Sequence, residues 1–208
     1  MRFRILGVVL LGLLSGCSTS GRLLPTPAPE VVVSTDGRIA AIASNGVRLV
    51  ASADTWKGNP SDLENALTPV ELILENTSGR NLRVEYADFA LVGEARYAAI
   101  QPQSLSRPAT SAHVPVAPPS YSPYGHLSRE SQPTCLTCSA GLPTADMLRL
   151  AFPEGLLKDE SSWSGFLYFQ LLGAHERQVT LQARLVDAST GEAFGTLRIP
   201  FHVRGSSR

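Results

Sequence analysis

The sequence predicts a mainly β fold, an antiparallel two-sheet sandwich, and three observations carry that prediction. Apolar residues recur at every second position in several short segments, as strands with one buried face require. Turn-forming residues punctuate these segments at short intervals. Helix-period patterning is confined to one brief stretch, and a single Pro-rich block interrupts the order.

Taken along the chain, the first unit is not part of the fold. Arg2 and Arg4 precede an apolar run, Ile5 to Leu14, followed by small residues. That order is the one expected of an export signal, and the run falls short of the ~20 apolar residues that span a bilayer. Residues 17–36 follow as a tether, in which Pro25, Pro27 and Pro29 alternate with small residues and favour an extended spacer. The folded body is then expected over residues 37–205.

Within the body, Ile39–Ala43 and Val47–Ala51 flank Ser44-Asn45-Gly46, a strong hairpin signal. Val70, Leu72 and Leu74 alternate with Glu71 and Glu75, and Leu82, Val84 and Tyr86 alternate with Arg83 and Glu85. These two segments are expected to pair, with Glu71 or Glu75 near Arg80 or Arg83. The apolar phase then slips by one, since Phe89 and Leu91 are odd-numbered, which predicts a bulge or bend at Ala87-Asp88. Asp88 would there face a ligand or satisfy backbone groups at the bend.

Residues 102–141 hold most of the remaining prolines among many Ser and Thr and read as a long loop insertion, carrying Tyr121, Tyr124, His113 and His126. A two-turn helix is expected from Thr144, a potential cap, to about Leu150, with Asp146 in its first turn and Pro153 beyond its end. Gly165–Leu172 is almost wholly apolar, as in a strand buried on both faces. Val179–Leu185 and Leu197–Val203 alternate on either side of Ser189-Thr190-Gly191, and Pro200 predicts an edge position for the last strand. The total expected is seven or eight strands.

Two resemblances add to this reading. Leu14-Ser15-Gly16-Cys17 resembles the lipobox of bacterial lipoprotein precursors at all four positions. The resemblance implies cleavage after residue 16, acylation of Cys17 and attachment to membrane lipid. Ser18 in place of Asp implies the outer membrane, facing the periplasm. The strand pattern of the body is similar to immunoglobulin-like domains of envelope lipoproteins, although the Cys–Trp–Cys hallmark is absent.

Charge and motifs limit the function classes. The chain carries 18 basic and 18 acidic residues, and loss of Arg2 and Arg4 leaves 16 against 18, a net of −2. No basic field for nucleic acid results. Cys135 and Cys138 are two residues apart and could form a disulfide, a redox pair or half of a metal site. An oxidising compartment favours the disulfide. The four histidines show no metal spacing. His175-Glu176 begins like a zinc-protease helix but has Val179 where the second His belongs. Asp54, Asp62 and Glu64 lack the spacing of a calcium loop. Trp56 and Trp163 are expected in the core or at its rim. The expectation is a non-catalytic, lipid-anchored envelope protein without cofactor or resident metal, which binds or braces another envelope component, with an envelope protein as the expected partner. The alternative is a periplasmic thiol redox or metal-handling protein that uses Cys135 and Cys138.

Overall fold

The computed structural model describes residues 21–106 and 141–205. Among them are twelve strands: β1 (Gly21–Pro25), β2 (Val31–Val33), β3 (Ile39–Ser44), β4 (Val47–Ala53), β5 (Leu67–Asn76), β6 (Leu82–Val84), β7 (Phe89–Val92), β8 (Arg96–Ala98), β9 (Gly155–Leu157), β10 (Ser161–Gln170), β11 (Gln178–Asp187) and β12 (Ala193–Gly205). One α-helix, α1, covers Ala145–Leu150. The first sheet runs β1-β12-β11-β6-β9, with β7 also on β11 and β8 on β7; the second runs β10-β5-β4-β3-β2. All strand pairs are antiparallel. The two sheets close a β-sandwich over one main core, in which Leu49, Leu72 and Leu74 of the second sheet join Leu181, Leu197, Ile199 and Phe201 of the first.

Several elements follow directly from local chemistry. Asn45 and Gly46 form the two-residue β3–β4 turn, both with positive φ (54° and 75°), the geometry that matches strand twist in a tight hairpin. A Cβ on Gly46 would also lie 2.6 Å from Ser78 Cα, so the turn needs glycine on two counts. The phase slip after Tyr86 is absorbed by a 3-10 turn at Tyr86–Asp88. It lets Leu82, Val84 and Tyr86 face the same core as Phe89 and Leu91. Thr144 caps α1, its hydroxyl accepting from the Met147 amide at 3.3 Å. Both faces of β10 are buried: Leu167 and Phe169 enter the main core, while Phe166 and Tyr168 enter a second cluster with Trp56, Leu63, Leu67 and Met147. Tyr168 reaches α1 by donating to the Met147 carbonyl at 3.1 Å. Trp56 donates to the Pro60 carbonyl at 2.8 Å and meets Phe166 edge-on.

Four expectations are corrected. The segment assigned to a tether over residues 17–36 is structured from Gly21: β1 pairs residue for residue with the end of β12, and β2 pairs with β3. The prolines misled because Pro25 sits at the last paired position of its strand, where a missing donor costs nothing. The strand count exceeds seven or eight because β1 and β2 lie in the segment assigned to the tether, and β8 and β9 are only three residues long. β5 and β6 do not pair. The connection between them arches from one sheet to the other, so their apolar faces meet across the core, and Glu75 binds Arg48 instead of Arg80 or Arg83. Asn76 holds the arch: fully buried, it donates to the carbonyls of Arg80 (2.7 Å) and Lys158 (3.1 Å) and accepts from Ser78. Finally, β12 lies between β1 and β11, away from the sheet edge. The Pro200 carbonyl accepts from Thr26 at 2.8 Å, just past the end of β1, so its missing N–H faces a position where the neighbouring strand has already stopped.

Candidate functional site

Of the carboxylates that sequence reasoning singled out, Asp88 and Glu176 are buried and engaged by the fold, whereas Asp54 and Glu64 lie close enough to one another to interact. Asp88 is buried under Arg184, its side chain 1% exposed, and Oδ1 accepts from Nε and Nη2 at 2.9 and 2.7 Å. Its Oδ1 therefore serves an arginine and not the backbone at the bend. Its Oδ2 and the Nε of Arg83 have no hydrogen-bond partner among the described residues, and both residues line a cavity of about 10 Å3. That volume is close to the smallest that holds one water.

Glu176, the acid of the His175-Glu176 pair, points inward with 5% of its surface exposed. Oε2 accepts from the Glu94 amide at 3.0 Å; Oε1 accepts from the Ala95 amide at 3.0 Å and the Tyr97 hydroxyl at 3.1 Å. Burial pushes its pKa up, but the two amides and the phenol outweigh burial and hold it below the ordinary value. The same phenol accepts from the Gly173 amide at 3.0 Å. Glu176 is thus a pin that ties the β7–β8 turn to the segment before β11. His175 and His202 are exposed. Asp54 forms an ion pair with Arg22 of β1. Glu64 has its pKa raised, first by burial and then by Asp54.

Open clefts lie on the surface among the described residues. One, of about 520 Å3, includes Gly79, Arg80, Asn81, Asp159, Asp187 and Ser189. Its acids are occupied: Asp159 accepts from the Gly79 amide at 3.0 Å, and Asp187 accepts from the Ser189 amide at 2.8 Å and faces Arg80 at 3.5 Å. The Ser189 hydroxyl and amide hold the Asp187 pKa below its ordinary value. Another, of about 480 Å3, includes Arg83, Glu85, Gln101 and Glu154. Glu154 there accepts from the Tyr86 amide and the Gln101 side chain, each at 2.7 Å. Burial, with Glu154 nearby, pushes the Tyr86 phenol up to about 12. Among the described residues no group of three or more His, Cys, Asp or Glu is placed to hold a metal ion, and no helix is long and apolar enough to cross a membrane.

The surface feature that stands apart is apolar. Register places Val32, Ala41, Val50 and Ile73 side by side on the outer face of the second sheet. Val32 is 73% exposed, and Ile73 and the nearby Ile39 are also exposed. The row spans three strand spacings, about 14 Å. Polar pairs border it on both sides: Arg48–Glu75, with Nη1 donating to both carboxylate oxygens at 3.0 and 3.1 Å, and Ser52–Glu71 at 3.3 Å. It ends at β2, which among the described residues has a strand neighbour on one side only. An apolar centre with a polar rim at an open sheet edge is the composition of a protein-contact surface. Sequence reading missed it because each of these residues sits in an ordinary alternating strand, and the row exists only across strands.

Cys17, Cys135, Cys138, His113, His126, Tyr121 and Tyr124 lie outside the described residues, as does the segment read as a signal peptide. No family model matches the chain, and no curated protein matches its sequence. Among solved structures, the chain is similar to the crystal structure of a "putative lipoprotein (ycdA)" from Bacillus subtilis, at 10% identity and a TM-score of 0.38. The match covers 85% of this chain and 39% of that one, so the chain spans well under half of that protein's length.

Proposed function

We propose that this chain is a bacterial envelope lipoprotein, anchored through acylated Cys17, whose sandwich binds or braces an envelope protein without catalysing a reaction. The observation that carries the binding role is the rimmed apolar row Val32–Ala41–Val50–Ile73 ending at an open edge. The anchor rests on the Leu14-Ser15-Gly16-Cys17 motif, and the outer membrane facing the periplasm rests on Ser18. In support of a non-catalytic body, Glu154, Glu176 and Asp187 accept from amide, phenol or hydroxyl donors of the fold, and Asp88 is held through Oδ1 by Arg184.

The test uses a photo-crosslinking residue at position 32 or 73 in membranes of the producing cell. Both side chains lie outside the core, so the body folds normally with either replacement. A discrete protein adduct is expected from both positions and not from position 198 on the opposite sheet. Mass spectrometry of the amino-terminal peptide is expected to show a diacylglyceryl-modified Cys17. Adducts distributed equally over all three positions, or an unmodified Cys17, would overturn the reading.

A further inference from the structure

The pairing of β1 sets how far the body can stand from an anchor. Gly21 pairs with Gly205 and Arg22 with Arg204, so the chain is fixed to the sandwich from residue 21. Cys17 lies four residues earlier. At ~3.3–3.6 Å per residue, four steps reach about 14 Å at most. A spacer over residues 17–36 would have reached about 60 Å at ~3.1 Å per residue.

The same pairing decides which end of the sandwich is held. The start of β1, the end of β12 and the segment before β11 lie together, with Val203 N donating to the Arg177 carbonyl at 2.8 Å. Arg22, Arg177 and Arg204 are exposed there. Of the nearby acids, Glu176 is turned inward, Asp54 is bound to Arg22, the half-buried Glu64 lies within electrostatic reach of Arg22, and Glu94 stays at the surface. The opposite end carries the Asn45-Gly46 and Ser189-Thr190-Gly191 turns, and β12 alone is thirteen residues long. The two ends are therefore about 40 Å apart at ~3.3 Å per residue.

We propose that the β1–β12 end rests on the lipid surface, with Arg177 and Arg204 at the level of the headgroup phosphates, so that the domain sits flush against the bilayer in one orientation. The proposal rests on acylation of Cys17 and adds where the body stands and which end faces the lipid. The turns at 45–46 and 189–191 then point away, and the outer face of the second sheet stands roughly upright, its apolar row crossing the strands roughly parallel to the bilayer and open to a partner approaching along the membrane.

The acylated full chain, purified from membranes, is placed in vesicles of phosphatidylethanolamine and phosphatidylglycerol containing an acceptor-labelled lipid. Donor dyes go on Ala174→Cys or Thr190→Cys with Cys135 and Cys138 replaced by Ser. Energy transfer is expected to be strong from 174 and weak from 190, and to fall at 174 when twenty Gly/Ser residues are inserted between Ser20 and Gly21. The pair Arg177→Glu and Arg204→Glu is expected to reduce transfer from 174. Neutron reflectometry of the unsubstituted protein reads the same geometry without labels, as protein density beginning at the headgroups with no water gap. A modified Cys17 with equal transfer from 174 and 190, or with a water layer beneath the protein, overturns the flush orientation and leaves the anchor intact. No change on arginine replacement overturns the arginine contact. An unmodified Cys17 overturns the anchor and the orientation together.

Discussion

Replacing Glu176 with Gln tests the claim that this carboxylate is structural. In the fold, two oxygens receive three donors: the amides of Glu94 and Ala95 and the hydroxyl of Tyr97. Gln keeps the shape but offers one acceptor oxygen, and its NH2 must confront an N–H. A hydrogen bond to a charged group contributes about 1.5–3 kcal/mol net, so losing one and placing two donors face to face costs about 2 kcal/mol. For a body of this size that lowers Tm by roughly 4–8 °C. The pH dependence sharpens the test. The folded pKa lies below the ordinary value of 4.5, so the carboxylate stabilises the fold fully above that value and loses its contribution as pH falls through the folded pKa. The gap between parent and Glu176→Gln should therefore be constant from pH 7 down to about 5 and close below 4. Urea unfolding followed by tryptophan fluorescence at several pH values measures it. A gap under about 0.5 kcal/mol at pH 7, the scatter of ordinary surface changes, or one that does not narrow in acid would refute the reasoning.

Two further substitutions probe the same logic elsewhere. Gly93→Ala would place a Cβ 2.2 Å from Glu176 Oε2 and 2.9 Å from the Gln178 carbonyl. It should cost about as much as Glu176→Gln, and combining the two should cost less than their sum, because both break one contact; additive urea midpoints would count against this. Asn76→Asp should be worse than Asn76→Ala, since a carboxylate would face the Arg80 and Lys158 carbonyls in a fully buried position, a loss of about 3 kcal/mol or more. Burial raises the folded pKa of that introduced acid, so its penalty should grow as pH rises above about 4, the reverse of the Glu176 trend; thermal unfolding at pH 3 and pH 7 reads the sign.

What the sequence made legible was whatever one strand or one turn decides alone. The Asn45-Gly46 hairpin needs only its own φ angles, the Thr144 cap only the next three residues, and the two buried faces of β10 only its almost wholly apolar run. The slip at Tyr86–Asp88 was likewise visible as a change of parity. Features set by distant partners were not. Glu71 and Glu75 carry no mark of whether the next strand pairs or crosses to the other sheet; that is decided by Asn76, whose amide binds carbonyls at positions 80 and 158. Asp88 finds its partner 96 residues away, and Glu176 finds its partners about 80 residues away. The apolar row of Val32, Ala41, Val50 and Ile73 depends on the register of four strands.

The misreading of residues 21–33 has the largest consequence, and its cause is physical. Proline composition measures the donors a segment lacks, whereas strand formation depends on where those gaps fall. In Gly21-Arg22-Leu23-Leu24-Pro25 the sole proline comes last, and Leu23 turns into the core opposite Val203. A leucine buried at that position and an arginine paired with Asp54 bind β1 to both sheets, since Asp54 directly follows β4. β1 is therefore a stave of the sandwich, and pulling on residue 20 would pull directly on the main core. An acyl anchor at Cys17 would transmit lateral force in the membrane to β12 and β11 without a compliant spacer between. That suits a domain that braces a partner better than one that reaches for it, because a brace must transmit load and a reaching domain must not. Leu23→Ser separates the two. It should loosen β1 from Val203 while leaving residues 31–205 folded, so that crosslinking from position 32 to a partner at fixed height falls while free-solution binding of the same partner is unchanged. Equal loss of both would show that β1 serves stability alone.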